Sequence, residues 1–501
     1  VKISFDRDYE HLLRLEKINS NIKENQTIQE FTNLQNLIES TYKGNAIIGG
    51  NFVKKLDNEN FITDFIRKEK KDNLIFLNSE NRKPSLTLIS DSFNFPILNA
   101  YGSGTADDGF FKGATKDNIF VGYHYGVPQV SIDEGNTWVL LKNPDDSKID
   151  MLGRIDNIFI CENKDLIIEY VIDGETNAGL NHYIKRLKFV GNADISKSWV
   201  DDGIKLTISG QNPNDVYISP FWGFWNYKNL ILLSEYGKQG SGGATHVYLS
   251  QNNGETFSTI LDLSDSAQLS TINSNLNFPM VQKSYGTANG LHIHGVSYDD
   301  IQGRIYVTIG DGGLEGSHIL WSDDLGLTWK GHLYKKTFAM PRYTISTYLQ
   351  SLQVYPFSNH LLVTSDELAQ GFFLMNRTSK NEIPEISWWY DITKTGESRL
   401  WEGNGGISFK PYMISNHSKF SENQPLYFAT AVHHNSDLMA GLRNKVVATY
   451  DGLNFSTVWE LKGTEINNGT SPSCEVYATQ NYLFIKQFGR TGKLGYLKFK
   501  V

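Results

Sequence analysis

The chain has 501 residues, a formal net charge of −8 and a pI near 5.9, a balance that excludes the broad basic face needed to hold duplex nucleic acid. No apolar run reaches the ~18 residues of a membrane-spanning helix, so membrane insertion is not expected. Only two cysteines occur, Cys161 and Cys474, which excludes a disulfide framework and nearly excludes a thiolate zinc site.

From the start of the chain, Leu15, Ile18 and Ile22, and then Phe31, Leu34 and Ile38, follow the three-then-four spacing of packed helices. Between them, Thr27 and Glu30 of "TIQE" are placed as a capping box for the second helix. Two short helices are predicted within residues 1–44, and neither buries its apolar stripe alone. They either dock as a hairpin on the rest of the chain or associate with copies of themselves as a trimeric stalk. The opening stretch lacks the apolar core of a secretion signal, so synthesis in the cytoplasm without a signal peptide is expected. Residues 45–92 contain "NAIIGGNFVKKL", "NLIFLNS" and "SLTLIS", short strands interrupted by the charged "RKEKKDN", and read as a small connecting β module.

From residue 93 to 501 the pattern repeats. The chain carries 28 Phe, 25 Tyr, 10 Trp and 44 Gly, a composition suited to strands and tight turns. Unit one reads "FPILNAYG", "NIFVGYHYG", "PQVSIDEG", "TWVLLKN". Unit four reads "LHIHGVSYDD", "GRIYVTIGDG", "SHILWSDDLG", "TWKGHLY". Four short strands every ~60 residues predict a mainly β chain folded as a β-propeller, because one four-stranded blade cannot cover both of its faces. Direct counting gives seven blades. Six follow if one unit is misparsed, and five if some runs belong to an inserted subdomain. The last unit is one strand short, and residues 85–90 are the candidate that closes it.

One eight-residue phrase recurs: "SIDEGNTW" from Ser131, "SQNNGETF" from Ser250 and "SDDLGLTW" from Ser322. It falls between the third and fourth strands of a unit. Gly135, Gly254 and Gly326, with Gly452 in a fainter fourth copy, supply the positive φ that such a turn needs. Asp133, Asn252 and Asp324 can accept the turn's own N–H groups, and the serines add a second bond. Trp138, Phe257 and Trp329 are expected to wedge between blades. The phrase resembles the Asp-box repeat of sialidases and related propellers, in which it is structural.

Turns of this kind lie on one face of a propeller, and the loops between second and third strands open on the other. That other face collects Tyr125, Glu235, Tyr236, His246, His292, His294, Asp311, Glu315, Trp401 and Arg490 as candidate ligand-binding residues. Aromatic faces stack on sugar rings and planar polar groups bind hydroxyls, so the mixture suits a glycan. Gly-rich loops after Glu235 and Asp311 could serve phosphate. No metal-binding spacing such as HExxH occurs, and neither metal nor cofactor is expected. The Arg motif that identifies sialidases is missing; "MPRY" at Arg342 has another order. A paired-carboxylate glycosidase would use Glu235 with Asp311 or Glu315.

The whole layout, helical start, small module and propeller, is similar to that of receptor-binding proteins at the tail tips of staphylococcal phages. That resemblance implies a homotrimer on the virion tail, other tail proteins as partners, and binding to the wall glycopolymer of a Gram-positive host, namely teichoic acid and its sugar decorations. It implies no catalytic residues. A glycoside hydrolase and an intracellular scaffold propeller are the alternatives.

Overall fold

The computed structural model describes residues 46–48, 51–53 and 86–93 and, between 110 and 500, the strands and the shorter turns that join them. The two helices expected in residues 1–44 lie outside the described residues, as does the phrase "FPILNAYG". The chain divides into two compact units, Val1–Arg82 and Lys83–Val501. In the first, β1 (Ala46–Ile48) and β2 (Asn51–Val53) pair antiparallel.

The second unit is a β-propeller. Among its described residues, seven antiparallel sheets follow one another, six of four strands and one of five. Sheet one holds β4 (Phe110–Ala114), β5 (Phe120–His124), β6 (Val127–Ser131) and β7 (Val139–Leu140). Sheet two holds β8 (Gly153–Ile160), β9 (Leu166–Ile172), β10 (His182–Phe189) and β11 (Trp199–Ile208). Sheet three holds β12 (Val216–Ile218) and β13 (Phe224–Tyr227), both paired with β14 (Leu230–Gly237), then β15 (His246–Ser250) and β16 (Ser258–Asp262). Sheet four holds β17 (His292–Asp299), β18 (Arg304–Gly310), β19 (Ile319–Ser322) and β20 (Lys330–His332). A separate hairpin, β21 (Lys335–Met340) and β22 (Tyr343–Tyr348), precedes sheet five: β23 (Ser351–Pro356), β24 (Leu361–Ser365), β25 (Phe372–Met375) and β26 (Ile386–Ser387). Sheet six holds β27 (Phe409–Met413), β28 (Leu426–Val432), β29 (Lys445–Thr449) and β30 (Ser456–Glu460). Sheet seven holds β31 (Cys474–Ala478), β32 (Tyr482–Gln487), β33 (Gly495–Lys500) and, on its outer edge, β3 (Thr87–Phe93).

The hydrophobic pattern explains this arrangement. Strand β18, "RIYVTIG", is buried along its whole length, and β9, "LIIEYVI", is buried at every residue but the last. Such runs form when a sheet is covered on both faces, here by the sheets before and after it. The core is therefore the set of contacts between sheets. Phe159, Ile167, Ile184, Ile218, Ile231 and Leu233 join sheets two and three, while Tyr306, Trp321, Val354, Leu361 and Phe373 join four and five. β31 packs beside β4, and Phe120 meets Phe484 edge-on at 5.5 Å, so the last sheet rests on the first.

The three recurring phrases form the same turn. Ser131 Oγ accepts from Gly135 N at 2.9 Å and donates to Asp133 Oδ1 at 2.7 Å, while Asp133 accepts from Thr137 N at 2.8 Å and Thr137 Oγ1 at 2.6 Å. The corresponding bonds of Ser322, Asp324, Gly326 and Thr328 measure 2.7, 2.7, 2.8 and 2.6 Å. In the middle copy Asn252 takes the acid's place, and its amide donates to Thr256 Oγ1 at 3.0 Å. Two successive residues have positive φ in each turn: Glu134 and Gly135 (62°, 86°), Asn253 and Gly254 (57°, 78°), Leu325 and Gly326 (57°, 92°). These are the two central residues of a tight turn within the loop, closed by Asn136 N to Asp133 O at 3.3 Å, Glu255 N to Asn252 O at 3.2 Å and Leu327 N to Asp324 O at 3.4 Å.

Each phrase also reaches the neighbouring sheet. A Cβ on Gly326 would lie 2.5 Å from Ile260 of sheet three, so only glycine permits that approach. Trp329 is buried and its indole N–H donates to Ile260 O at 2.9 Å, and Phe257 packs in the cluster shared with sheet two. Trp138 behaves differently from the expected wedge: it stays partly exposed, and its indole donates back to Gly135 O at 3.0 Å. In the fainter copy Gly452 N donates to Thr449 Oγ1 at 2.8 Å, a bond one residue tighter than in the other three. Glu134, within the first turn, accepts the phenolic hydrogen of Tyr482 from sheet seven, which ties first sheet to last on this same face.

Candidate functional site

The ends of the sheets opposite these turns carry most of the described histidines, at positions fixed by strand order. His182, His246 and His318 lie at or just before the third strand of a sheet, and His292 and His294 open the first strand of sheet four. In a propeller those positions share one face.

In sheet two the imidazole of His182 lies 3.0 Å from Glu169 Oε1 and 3.5 Å from Asp156 Oδ2. Glu169 is wholly buried. It accepts from Asn157 Nδ2 at 2.6 Å and from the backbone N–H of Ile218 at 2.8 Å, while Asn157 Nδ2 also donates to Ile218 O at 3.1 Å. These two side chains thus bond the edge of β12 as a neighbouring strand would, which joins sheets two and three.

Sheet three has a related cluster. Glu235, 3% exposed, accepts from Thr245 N, His246 N and His246 Nδ1 at 2.9, 2.9 and 2.8 Å through Oε2, and from Tyr248 OH at 2.6 Å through Oε1. His246 Nε2 also lies 3.3 Å from Asp262. Burial acts to lower the His246 pKa, but the hydrogen bond and charge of Glu235, reinforced by Asp262, outweigh it and raise the pKa. The phenol of Tyr248 is pushed well above its ordinary value by burial and by the charge and hydrogen bond of Glu235.

Glu235 was expected to face ligand. Instead both its oxygens are engaged by Thr245, His246 and Tyr248 at the head of β15. Sequence reading did not anticipate its contact with Tyr248. The physical state is opposite to that of a nucleophile, since the phenol is buried and held protonated. His294 was also expected at the surface; it is 0% exposed, and its Nδ1 lies 2.9 Å from Ser351 O of sheet five. Its ring fills the space over Gly310, where a Cβ would come within 1.8 Å of it. It acts as a tie between sheets four and five.

Between these clusters runs a chain of rings. Tyr217 and Tyr236 are direct cross-strand partners on β12 and β14, with centroids 5.7 Å apart. His182 lies 6.2 Å from Tyr217. On the other side Tyr236 is 5.8 Å from His292, 6.3 Å from His294 and 6.0 Å from Trp222. The two tyrosines are partly exposed, while His182, His292, His294 and Trp222 are buried. Sequence reading found Tyr236 and His292 but missed Tyr217, Trp222 and His182. The available signal was an aromatic at each of two facing strand ends, "VYISPFW" and "SEYG".

A short insertion flanks this region. Helix α1 (Ser266–Asn273), capped by Asp265, follows β16. Asn273 and Met280 exchange two hydrogen bonds of 2.8 Å, and Asn277 exchanges bonds of 3.1 and 2.8 Å with the backbone of Leu333. His318 Nε2 lies 2.9 Å from Phe278 O. Tyr125, Asp311, Glu315, Trp401 and Arg490 lie outside the described residues. Among the described residues no group of three His, Cys, Asp or Glu side chains is arranged to hold a metal ion.

No protein-family model matches the sequence, and no curated protein matches it. Solved structures do align. A mitotic checkpoint complex chain does so at 9% identity over 81% of this chain and 98% of that one, with a TM-score of 0.37. A prolyl endopeptidase aligns at 9% identity over 91% and 55%, with a TM-score of 0.39. An ancestral GH74 enzyme aligns at 11% identity over 83% and 55%, with a TM-score of 0.29. This chain spans about half the length of the last two. Likenesses this distant bear on neither ligand nor activity.

Proposed function

We propose that this chain is a carbohydrate-binding propeller: the receptor-binding protein of a phage tail, which attaches to the wall glycopolymer of a Gram-positive host through the face opposite its Asp-box turns. One observation carries the choice of binder over hydrolase. On that face the buried carboxylates Glu169 and Glu235 are engaged by internal donors, whereas the paired rings of Tyr217 and Tyr236 are partly exposed. A glycosidase needs two carboxyl groups free to flank a glycosidic bond; a binder needs stacking surface. The tail setting and the trimeric stalk follow from the resemblance of the overall layout. Three weak sites on one particle turn modest affinity into firm attachment.

The test is adhesion of the purified chain to intact Gram-positive walls, with and without their teichoic acid. Adhesion that disappears with the polymer supports the reading. Equal adhesion to both walls, or steady release of sugar from the polymer, rejects it. Light scattering should show three chains per particle, and deletion of residues 1–44 should give single chains.

A further inference from the structure

The imidazole of His246 lies between two carboxylates. Its Nδ1 is 2.8 Å from Glu235 Oε2 on β14, and its Nε2 is 3.3 Å from Asp262 Oδ1 at the end of β16. A carboxylate only accepts, and a neutral imidazole has a single N–H. In either neutral tautomer one ring nitrogen would turn its lone pair toward a carboxylate oxygen. The imidazolium, with two N–H groups, satisfies both contacts. Two other ionisable side chains belong to this cluster among the described residues. The Tyr248 phenol, on the same strand as His246, donates to Glu235, and the Asp265 carboxylate accepts from Ala267 N. Neither brings positive charge.

Asp262 is also where the insertion begins. Its Oδ1, the atom that faces His246, accepts from Ser264 N at 2.8 Å and from Asp265 N at 3.2 Å, and its backbone N–H donates to Gln268 in the first turn of α1. The far end of the insertion is pinned in another way. Asn277 bonds the backbone of Leu333, and Phe278 O lies 2.9 Å from His318 Nε2. A neutral imidazole supplies that single N–H, so this pin needs no charge. Asn277 Nδ2 also lies 3.4 Å from His332 Nε2, and burial lowers the His332 pKa, which favours the neutral ring.

We infer that His246 is a proton-operated latch: its imidazolium, held by Glu235, fastens Asp262 and with it the start of α1, and loss of the proton releases this end of the insertion while the end at Asn277 and Phe278 stays docked. The insertion is then a strap, hinged at one end, that flanks the candidate site. The inference does not depend on what that site binds. Its sign follows from the surroundings. Burial acts to lower the His246 pKa, but the hydrogen bond and charge of Glu235, with those of Asp262, raise it overall. The latch is therefore fully fastened below the unfolded value, about 6.5, and opens as pH rises through the folded one.

The test is hydrogen exchange of the full chain, followed by mass spectrometry between about pH 6 and about pH 9 and expressed as protection factors. Peptides covering residues 264–272 should lose protection with the same midpoint as His246 in an NMR titration. The loss should be about tenfold for each pH unit by which docking raises that midpoint. Peptides covering residues 276–281 should keep their protection. His246→Gln should make the protection of α1 independent of pH. Asp262→Asn, which keeps an oxygen for Ser264 and Asp265, should do the same and lower the histidine midpoint. Protection of residues 264–272 that stays constant through the His246 midpoint overturns the inference. So does a pH dependence that persists in His246→Gln, or a parallel loss at residues 276–281. If the variants fail to fold, the parent chain still decides, because both ends of the insertion are read in one molecule against one titration.

Discussion

Asp133 and Asp324 each accept two bonds from one threonine and one from a serine, while Asn252 fills the same place without a charge. Burial acts to raise both acids' pKa values, but the threonine and serine hydrogen bonds dominate and lower them. A lowered carboxylate pKa stabilises the fold above the unfolded value, about pH 4, and the contribution is lost as pH falls through the folded value. Asp324→Asn should therefore fold as Asn252 does and show a smaller loss of stability between about pH 5 and about pH 3. Asp324→Ala should cost about 1–2 kcal/mol in urea denaturation at neutral pH. His246 has the opposite sign. Its pKa is raised, so its contribution is complete below the unfolded value, about 6.5, and is lost as pH rises through the folded one. An NMR titration should place its midpoint above that of a free histidine, and Glu235→Gln should move the midpoint down.

At the scale of elements, contacts between sheets matter more than any single strand. Tyr482 opens β32 and donates to Glu134 in the turn after β6, across the junction of last and first sheets. Burial, aided by the hydrogen bond and charge of Glu134, pushes its pKa up to about 12. The protonated phenol is the partner that binds, so the tie is intact below the free value, about pH 10, and is lost as pH rises toward the folded one. Ultraviolet titration should lose this late-ionising tyrosine in Tyr482→Phe, and that variant should unfold faster than the parent. This scale is also where the sequence was most readable. The turn phrases name their own hydrogen bonds, and runs such as "RIYVTIG" and "LIIEYVI" are strands on sight because both of their faces are covered. β4 was missed because "FFKGA" is short and ends at Gly113 and Ala114, with little β preference. The hairpin β21–β22 was missed because it stands outside the four-strand units, as a separate two-stranded sheet, and "KKTFAM" lacks the alternation that marks a strand. In the candidate site, Tyr236 and His292 could be placed from their strand ends. The burial of Glu235 and His294 could not, because it depends on partners such as Tyr248 and Ser351 that no local pattern assigns.

At the scale of the whole chain, the outer strand of sheet seven comes from the opposite end of the sequence. The segment 85–90 was picked out because the last unit was one strand short, and β3 spans Thr87–Phe93 against β33. Deleting residues 1–82 leaves β3 in place, whereas deleting residues 1–94 leaves β33 with an open edge. The first truncation should stay soluble and melt near the parent. The second should aggregate on concentration, as size-exclusion chromatography would show.

That arrangement also decides where a pull would be felt. Residues 1–82 lead into the propeller directly through β3, so tension on the leading segment arrives first at the backbone bonds between β3 and β33. If a particle is anchored by that segment while the opposite face of the propeller holds a wall, the load passes through this one outer ladder. Its rupture would open the ring at the point where it closes.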